Sequence, residues 1–173
     1  LKYWGILSTG DKKTERVLIR GIIPEKEVLI NSFITKRRGK ELSRNSVYEV
    51  ELGASLAENR GIKIGDEVIL STISSEGFEN ALHSTVRGIV GSFSEDFDSI
   101  LVKLPLDAAR ELADVSGVQE IVLLLDKTEH TGRVIKRISR LNKEHNWNLE
   151  ITAWYDQAGY YKQVVDFYGG YFR

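Results

Sequence analysis

Four short runs of β-favouring residues, bounded by turn residues, fill the middle of the chain and constrain its fold most strongly. They are Val47–Leu52, Val68–Thr72, His83–Phe93 and Ile100–Leu104. A tight turn at Gly65-Asp66 precedes the second run, and Gly65 is expected to adopt a positive φ, which other residues rarely reach. Residues 47–104 are therefore predicted to be mostly β, with one short helix at Ala54–Asn59 that ends at Gly61.

Helices and strands alternate in the second half of the chain. The predicted elements are a helix over Asp107–Asp114 capped by Gly117, a central strand over Val118–Leu125, a helix over Thr131–His145, a strand over Leu149–Trp154 and a helix over Asp156–Arg173. Near the start of the chain, Lys2–Ser8 and Arg16–Ile23 are predicted to form a hairpin around a Gly/Asp turn. This order of elements indicates an α+β fold.

The charges of the chain nearly cancel. Lys and Arg number 24 and Asp and Glu 25, for a net charge of -1, so the chain lacks the positive field of a nucleic-acid-binding protein. The basic run Lys36–Arg44 is interpreted as a solvated loop. It follows a stretch in which Val28, Leu29, Phe33 and Ile34 could line a short helix. No nucleic-acid partner is therefore expected.

No membrane span is predicted within this sequence. The longest purely aliphatic run, Ile121–Leu125, has five residues, whereas crossing a bilayer takes about 20. The chain also has neither cysteine nor methionine. The missing cysteines exclude disulfides, thiolate nucleophiles and cysteine-ligated zinc. The missing methionines, initiator included, predict a processed product or a piece of a longer protein.

Nucleotide and metal motifs are absent from the sequence. The pair Gly39-Lys40 has Ile34 where a phosphate-binding loop needs glycine and Glu41 where it needs serine or threonine, and no GxGxxG follows a strand. The histidines, at positions 83, 130 and 145, lack metal-ligand spacing. We therefore predict no metal site, no cofactor site and no hydrolysis of nucleotides by this chain.

One pattern resembles the active site of a serine hydrolase. Ser55, in the run GASLA between a strand and a helix, stands where the nucleophile of a GxSxG elbow stands, and Asp126 and His145 follow in the usual order. Against this, the second glycine is alanine and no oxyanion motif is present. The carboxylates of Glu95, Asp96 and Asp98 are interpreted as a solvated turn. The chain is therefore predicted not to be an enzyme and to have no catalytic residues, with hydrolysis by Ser55 as an alternative.

Five blocks of the sequence, in order, resemble the MacB-like periplasmic core domains. VELGASLA and IKIGDEVIL resemble the family's "vvlGxxLAxxlgikvGDxvxl" block, and further matches lie at Thr85–Phe93, Asp98–Leu112, Val118–Asp126 and Trp154. The resemblance covers about Arg16–Phe172. Members of the family are the extracytoplasmic loops of FtsX-like, LolC/LolE-like and MacB-like ABC transporter permeases in the bacterial cytoplasmic membrane.

The resemblance implies a fold of two subdomains. A membrane-proximal Porter subdomain of split βαβ character would comprise residues 1–24 and 118–173. A mostly β Sabre subdomain would be inserted at residues 25–117. The resemblance also implies a non-catalytic, periplasmic domain that couples cytoplasmic ATP hydrolysis to substrate export, lipoprotein release or mechanotransmission. The implied partners are an ABC ATPase, a second permease copy or paralogue, and an extracytoplasmic partner or a lipoprotein or peptide cargo.

The C-terminal segment has aromatic residues on two helical stripes. These residues are Tyr160, Tyr161, Val164, Phe167, Tyr168, Tyr171 and Phe172. So much apolar surface predicts a membrane-proximal stalk helix, because tyrosine suits the boundary between protein, water and lipid headgroups. An ordinary C-terminal helix docked on the core is the alternative for this segment. For the function of the whole chain, a free-standing extracytoplasmic binding protein is a second alternative beside a hydrolase that uses Ser55.

Overall fold

The protein divides into two compact units, Leu1–Val122 and Leu123–Arg173. Its structure, a computed structural model, describes residues 1–10, 13–27, 29, 36–92 and 94–157. Within these ranges, no helix combines the length and the apolar character that a membrane span requires.

The first unit contains seven strands and four helices among its described residues. In chain order they are β1 (Lys2–Ser8), β2 (Thr14–Ile22), α1 (Pro24–Glu27), β3 (Lys36–Gly39), β4 (Glu49–Gly53), α2 (Ala54–Arg60), β5 (Glu67–Ile73), β6 (Glu79–Gly91), α3 (Glu95–Asp98), β7 (Leu101–Pro105) and α4 (Leu106–Ala113). The mixed α+β class predicted from the sequence is confirmed, as are the N-terminal hairpin of β1 and β2 and the helix α2.

The strands form one sheet in the order β3-β6-β4-β7-β2-β1-β5, in which β5 also pairs with β6. Six strands therefore close into a barrel, and β3 extends it at one edge of β6. Strand β6 can pair with both β5 and β3 because its 13 residues are long enough for two partners along one edge. Its first half pairs with β5, from Glu79 to Thr85, and its last residues, Gly88–Gly91, pair with β3.

The hydrophobic core lies on the inner side of the barrel. Alternate residues of each strand point inward, as a period of two requires. Fully buried members include Leu7, Val17, Ile19, Val50, Leu52, Val68, Leu70, Val86, Val102 and Leu104. Helices α2 and α4 add Leu56, Ala57, Ala108, Ala109 and Leu112 to the same cluster. The apolar face of each short helix is thus buried against the strands.

The second unit contains helices among its described residues and no strand. A 3-10 turn at Thr128–His130 leads into α5 (Thr131–His145), and α6 (Trp154–Gln157) follows. The bounds of α5 agree with the predicted helix. The predicted stalk helix over Asp156–Arg173 lies outside the described residues from residue 158 onward.

Two strand predictions in this half of the chain are wrong. The run Val118–Leu125 is not a strand, and Ile121 and Leu124 have 74% and 63% of their surface exposed rather than covered on both faces. The run Leu149–Trp154 is also not a strand, and Trp154 begins α6 instead. Among the described residues, neither run is hydrogen-bonded to a strand of the sheet. An apolar run forms a strand only where another backbone completes its hydrogen bonds.

The basic run at residues 36–44 and the end of α4 also differ from expectation. Lys36–Gly39 forms β3 rather than a loop, because β6 extends past β5 and offers its backbone groups to this segment. Helix α4 ends at Ala113, and its C-cap is Asp114, whose φ of 52° is left-handed, rather than the predicted Gly117. Aspartate tolerates this conformation because its short polar side chain bonds locally. The short helix expected to be lined by Val28, Leu29, Phe33 and Ile34 lies, except for Leu29, outside the described residues.

The turn at Gly65 follows the prediction, with a φ of 94°. Replacing Gly65 with valine should lower the free energy of unfolding by about 1–3 kcal/mol, because a β-branched residue is strained at positive φ. Urea unfolding followed by circular dichroism measures this change. Gly117→Val is the matched control, since a Cβ at Gly117 meets open space and its φ is not positive. Equal losses in the two variants would contradict the argument.

Candidate functional site

Ser55 lies in the first turn of α2, directly after β4 and Gly53. The following residues, Leu56 and Ala57, are buried in the barrel core. Gly53 has an ordinary φ of -64°. A Cβ at Gly53 would lie 2.0 Å from the backbone oxygen of Asp98. The glycine is therefore needed for a close backbone approach between β4 and α3, which is a packing role rather than that of a strained nucleophile elbow.

The other two residues of the hypothetical triad have local partners in the second unit. The Asp126 carboxylate lies 3.0 Å from Nδ1 of His130 and accepts a hydrogen bond from the backbone N–H of Lys127. The His145 ring stacks on Trp147, with ring centroids 5.0 Å apart. Asp126 thus orients a different histidine from the one that the order of the chain suggested.

The acidic residues near residue 95 belong to the short helix α3 rather than to a simple turn. Both carboxylate oxygens of Asp98 accept the backbone N–H of Ser92, at 3.1 and 2.9 Å, and Asp98 is buried. The Ser94 hydroxyl accepts the N–H of Phe97 and caps α3. The expectation that Asp98 is solvated together with Glu95 and Asp96 is therefore wrong. Asp98 fixes the loop between β6 and β7.

The described residues contain no group of three metal-ligating side chains. His83 is exposed on β6, and His130 pairs with Asp126. Two surface depressions, of about 320 and 460 Å³, lie on the first unit and are open to solvent. The first is lined by residues around Gly61 and Asp66, and the second by residues around Arg110 and Asp114. Their linings are polar, unlike the mostly apolar lining of a typical small-molecule site.

A buried ionic cluster on the outer wall of the barrel is the arrangement that sequence reasoning missed. It consists of Arg20 on β2, Glu27 on α1, Glu51 on β4 and Lys103 on β7. The register places Lys103 beside Arg20 on one side and Glu51 on the other. Lys103 Nζ lies 3.2 Å from the Glu27 carboxylate, and Arg20 lies 3.9 Å from the same oxygen. Lys103 is fully buried although it points away from the barrel core.

The cluster fastens the segment between β2 and β4 to the barrel. Glu27 reaches Lys103 from α1, and the Glu51 carboxylate accepts the backbone N–H of Leu42 at 3.3 Å. Burial lowers the pKa of Lys103, and the Glu27 and Glu51 carboxylates oppose this effect by favouring the charged ammonium. None of the four residues lines either surface depression. This arrangement ties α1 and Leu42 to the strands, and removal of one charge would leave its partner buried and unpaired.

One signal in the sequence could have revealed the cluster. Lys103 is the single polar residue in the run Ile100–Leu104. A lone cation within a strand that is otherwise apolar predicts either an exposed edge or a buried ion pair. The carboxylates that meet it come from positions 27 and 51, and only the register of the sheet brings these together.

The comparisons with known proteins address the fold. The structure is similar to the crystal structure of the periplasmic region of MacB from Actinobacillus actinomycetemcomitans, with a TM-score of 0.52 and 15% sequence identity. The likeness covers 87% of this chain and 74% of that one. No protein family model matches the chain, and no curated protein matches it either. The sheet-rich α+β fold is therefore shared with the MacB periplasmic region.

The ionic cluster leads to a stability prediction. Glu27→Ala should lower the free energy of unfolding by about 3 kcal/mol, because it removes the nearest carboxylate from a buried lysine. Glu25→Ala in the same helix is the matched control, since Glu25 is exposed, and it should change stability by less than about 0.5 kcal/mol. The triple variant Glu27→Leu, Glu51→Gln and Lys103→Met leaves no fully buried charge in the cluster and should recover most of the loss. Denaturant unfolding measures all three, and similar effects of Glu27→Ala and Glu25→Ala would contradict the assignment.

Proposed function

We propose that this chain is a non-catalytic extracytoplasmic domain of an ABC transporter permease. The likeness to the MacB periplasmic region, over 87% of the chain, is the observation that supports the proposal most. It agrees with the five sequence blocks that resemble the same family, and those blocks are independent of the coordinates. Fold alone does not determine function, so the agreement of these two observations supports the proposal more than either does alone.

The proposed role is to couple ATP hydrolysis in the cytoplasm to work outside the membrane. That work would be substrate export, lipoprotein release or mechanotransmission to an extracytoplasmic partner. The barrel of the first unit suits such a role, because a closed sheet with a single packed core moves as a rigid body. Its buried ionic cluster adds further rigidity at the crossover between β2 and β4.

The proposed partners follow from the family resemblance. They are a cytoplasmic ABC ATPase, reached through membrane helices outside this sequence, and a second permease copy or paralogue. Residues 1–24 and 118–173 are proposed to form the membrane-proximal Porter part, and residues 25–117 the Sabre part. The aromatic stripes between Tyr160 and Phe172 are proposed to belong to a stalk that leads to the membrane.

Purification of the full gene product that contains this chain tests the proposal. We expect the protein to be extracted from membranes only by detergent and to co-purify with an ABC ATPase. We also expect apolar stretches of about 20 residues to flank the chain in the gene. Recovery of the protein from the soluble extracytoplasmic fraction, without an ATPase, would instead support a free-standing binding protein.

The proposal also predicts an absence of turnover. The purified chain should hydrolyse neither ATP nor generic ester and peptide substrates, since Ser55 is a helix residue beside a packing glycine. Ser55→Ala and Ser55→Gly should behave as the unaltered chain does in the same assays. Turnover by the unaltered chain that disappears in Ser55→Ala would contradict the proposal and would support the serine hydrolase alternative.

A further inference from the structure

Helix α5 has a strongly asymmetric charge. Its 15 residues contain five lysines and arginines and one carboxylate, Glu144. The five cations, here called the cationic face, are Arg133, Lys136, Arg137, Arg140 and Lys143. All five are exposed. In the described part of the chain, Arg140 pairs with Glu144 at 3.5 Å, and the other four cations are in no ion pair.

The geometry of the helix gathers these cations on one side. At about 100° per residue, the cationic face occupies an arc of about 120°. The apolar residues Val134, Ile138 and Leu141 fall on the opposite side. They are half-buried, whereas the cations are exposed. The orientation of the helix in its unit is thus set by its apolar stripe, and the cationic face is presented to solvent.

An exposed tryptophan lies at the C-terminal end of the same helix. Trp147 is 49% exposed, and its ring stacks on His145, the last residue of α5. The turn that carries it is fixed by Asn142, whose side chain donates to the Leu149 carbonyl at 2.9 Å and accepts its N–H at 3.0 Å. At about 100° per residue, His145 falls among the apolar residues of α5, so the tryptophan ring that stacks on it is not part of the cationic face.

We propose that the cationic face of α5 binds the surface of a membrane that contains anionic phospholipids. The charge complementarity is local, because the whole chain has a net charge of only -1. Lysine and arginine near an anionic leaflet each contribute about 1 kcal/mol, which is about fivefold in binding. The inference deepens the proposed function, on which it rests, by giving the second unit a lipid partner at the extracytoplasmic leaflet.

Vesicle flotation with the full 173-residue chain tests the inference. The chain should bind vesicles of phosphatidylcholine with about one-third phosphatidylglycerol, and not vesicles of phosphatidylcholine alone. Binding should fall steeply between about 0.1 and 1 M salt, because screening shortens the reach of surface charges. Equal binding to both vesicles, or no binding to either, would overturn the inference. The salt and lipid dependence needs no variant, so it does not depend on whether a variant folds.

A matched pair of variants assigns the binding to α5. Arg133→Gln with Arg137→Gln should weaken binding roughly 25-fold, whereas Arg44→Gln with Lys63→Gln, which removes two exposed cations of the first unit, should leave it unchanged. Circular dichroism checks that both variants keep their helix content. Equal weakening by the two variants would overturn the assignment to α5.

Three further outcomes separate this inference from its alternatives. Displacement from the vesicles by millimolar inorganic phosphate would indicate a site for free anions and would overturn the lipid assignment. Co-purification of an ABC ATPase without vesicle binding would remove this inference alone. Vesicle binding by a protein that is found without an ATPase would remove the proposed function and leave the lipid surface of α5 in place.

Discussion

Closure of the barrel by β6 is the constraint on which the rest of the first unit depends. One edge of this strand pairs with β5 and then with β3, and the other edge pairs with β4. Without the β5 contact, both β5 and β6 would present open edges, which attract other chains. With it, the inner side chains of six strands meet in one core, and helices α2 and α4 cover part of that core. The fold thus follows from one long strand with two sets of partners.

Some charged side chains on the outer wall of the same barrel are buried and pair with one another. Outward positions such as Arg20, Glu51 and Lys103 are polar, as the period of the strands requires. Glu51 and Lys103 are nevertheless buried, and burial of a lone charge is costly. Glu27 and the other members of the cluster compensate that cost by pairing. The pairing also fixes where the crossover lies.

The described structure offers surfaces and rigidity rather than a reaction centre. The residues that could suggest a hydrolase have other roles: Gly53 permits a close backbone approach, Asp126 pairs with His130, and His145 stacks on Trp147. The barrel has a single packed core, and the cationic face of α5 is exposed to solvent.

The sequence by itself determined the elements whose signals are local. The hairpin of β1 and β2, the turn at Gly65, helix α2 with its cap Gly61, and the bounds of α5 all follow from turn residues and periodicity. Tertiary structure decided where strands find partners. Val118–Leu125 has an ideal apolar composition for a central strand, yet no described strand pairs with it, while the polar residues Lys36–Gly39 form β3 because β6 is available. The burial of Lys103 was decided in the same way, since its carboxylates come from distant positions that only the register of the sheet brings together.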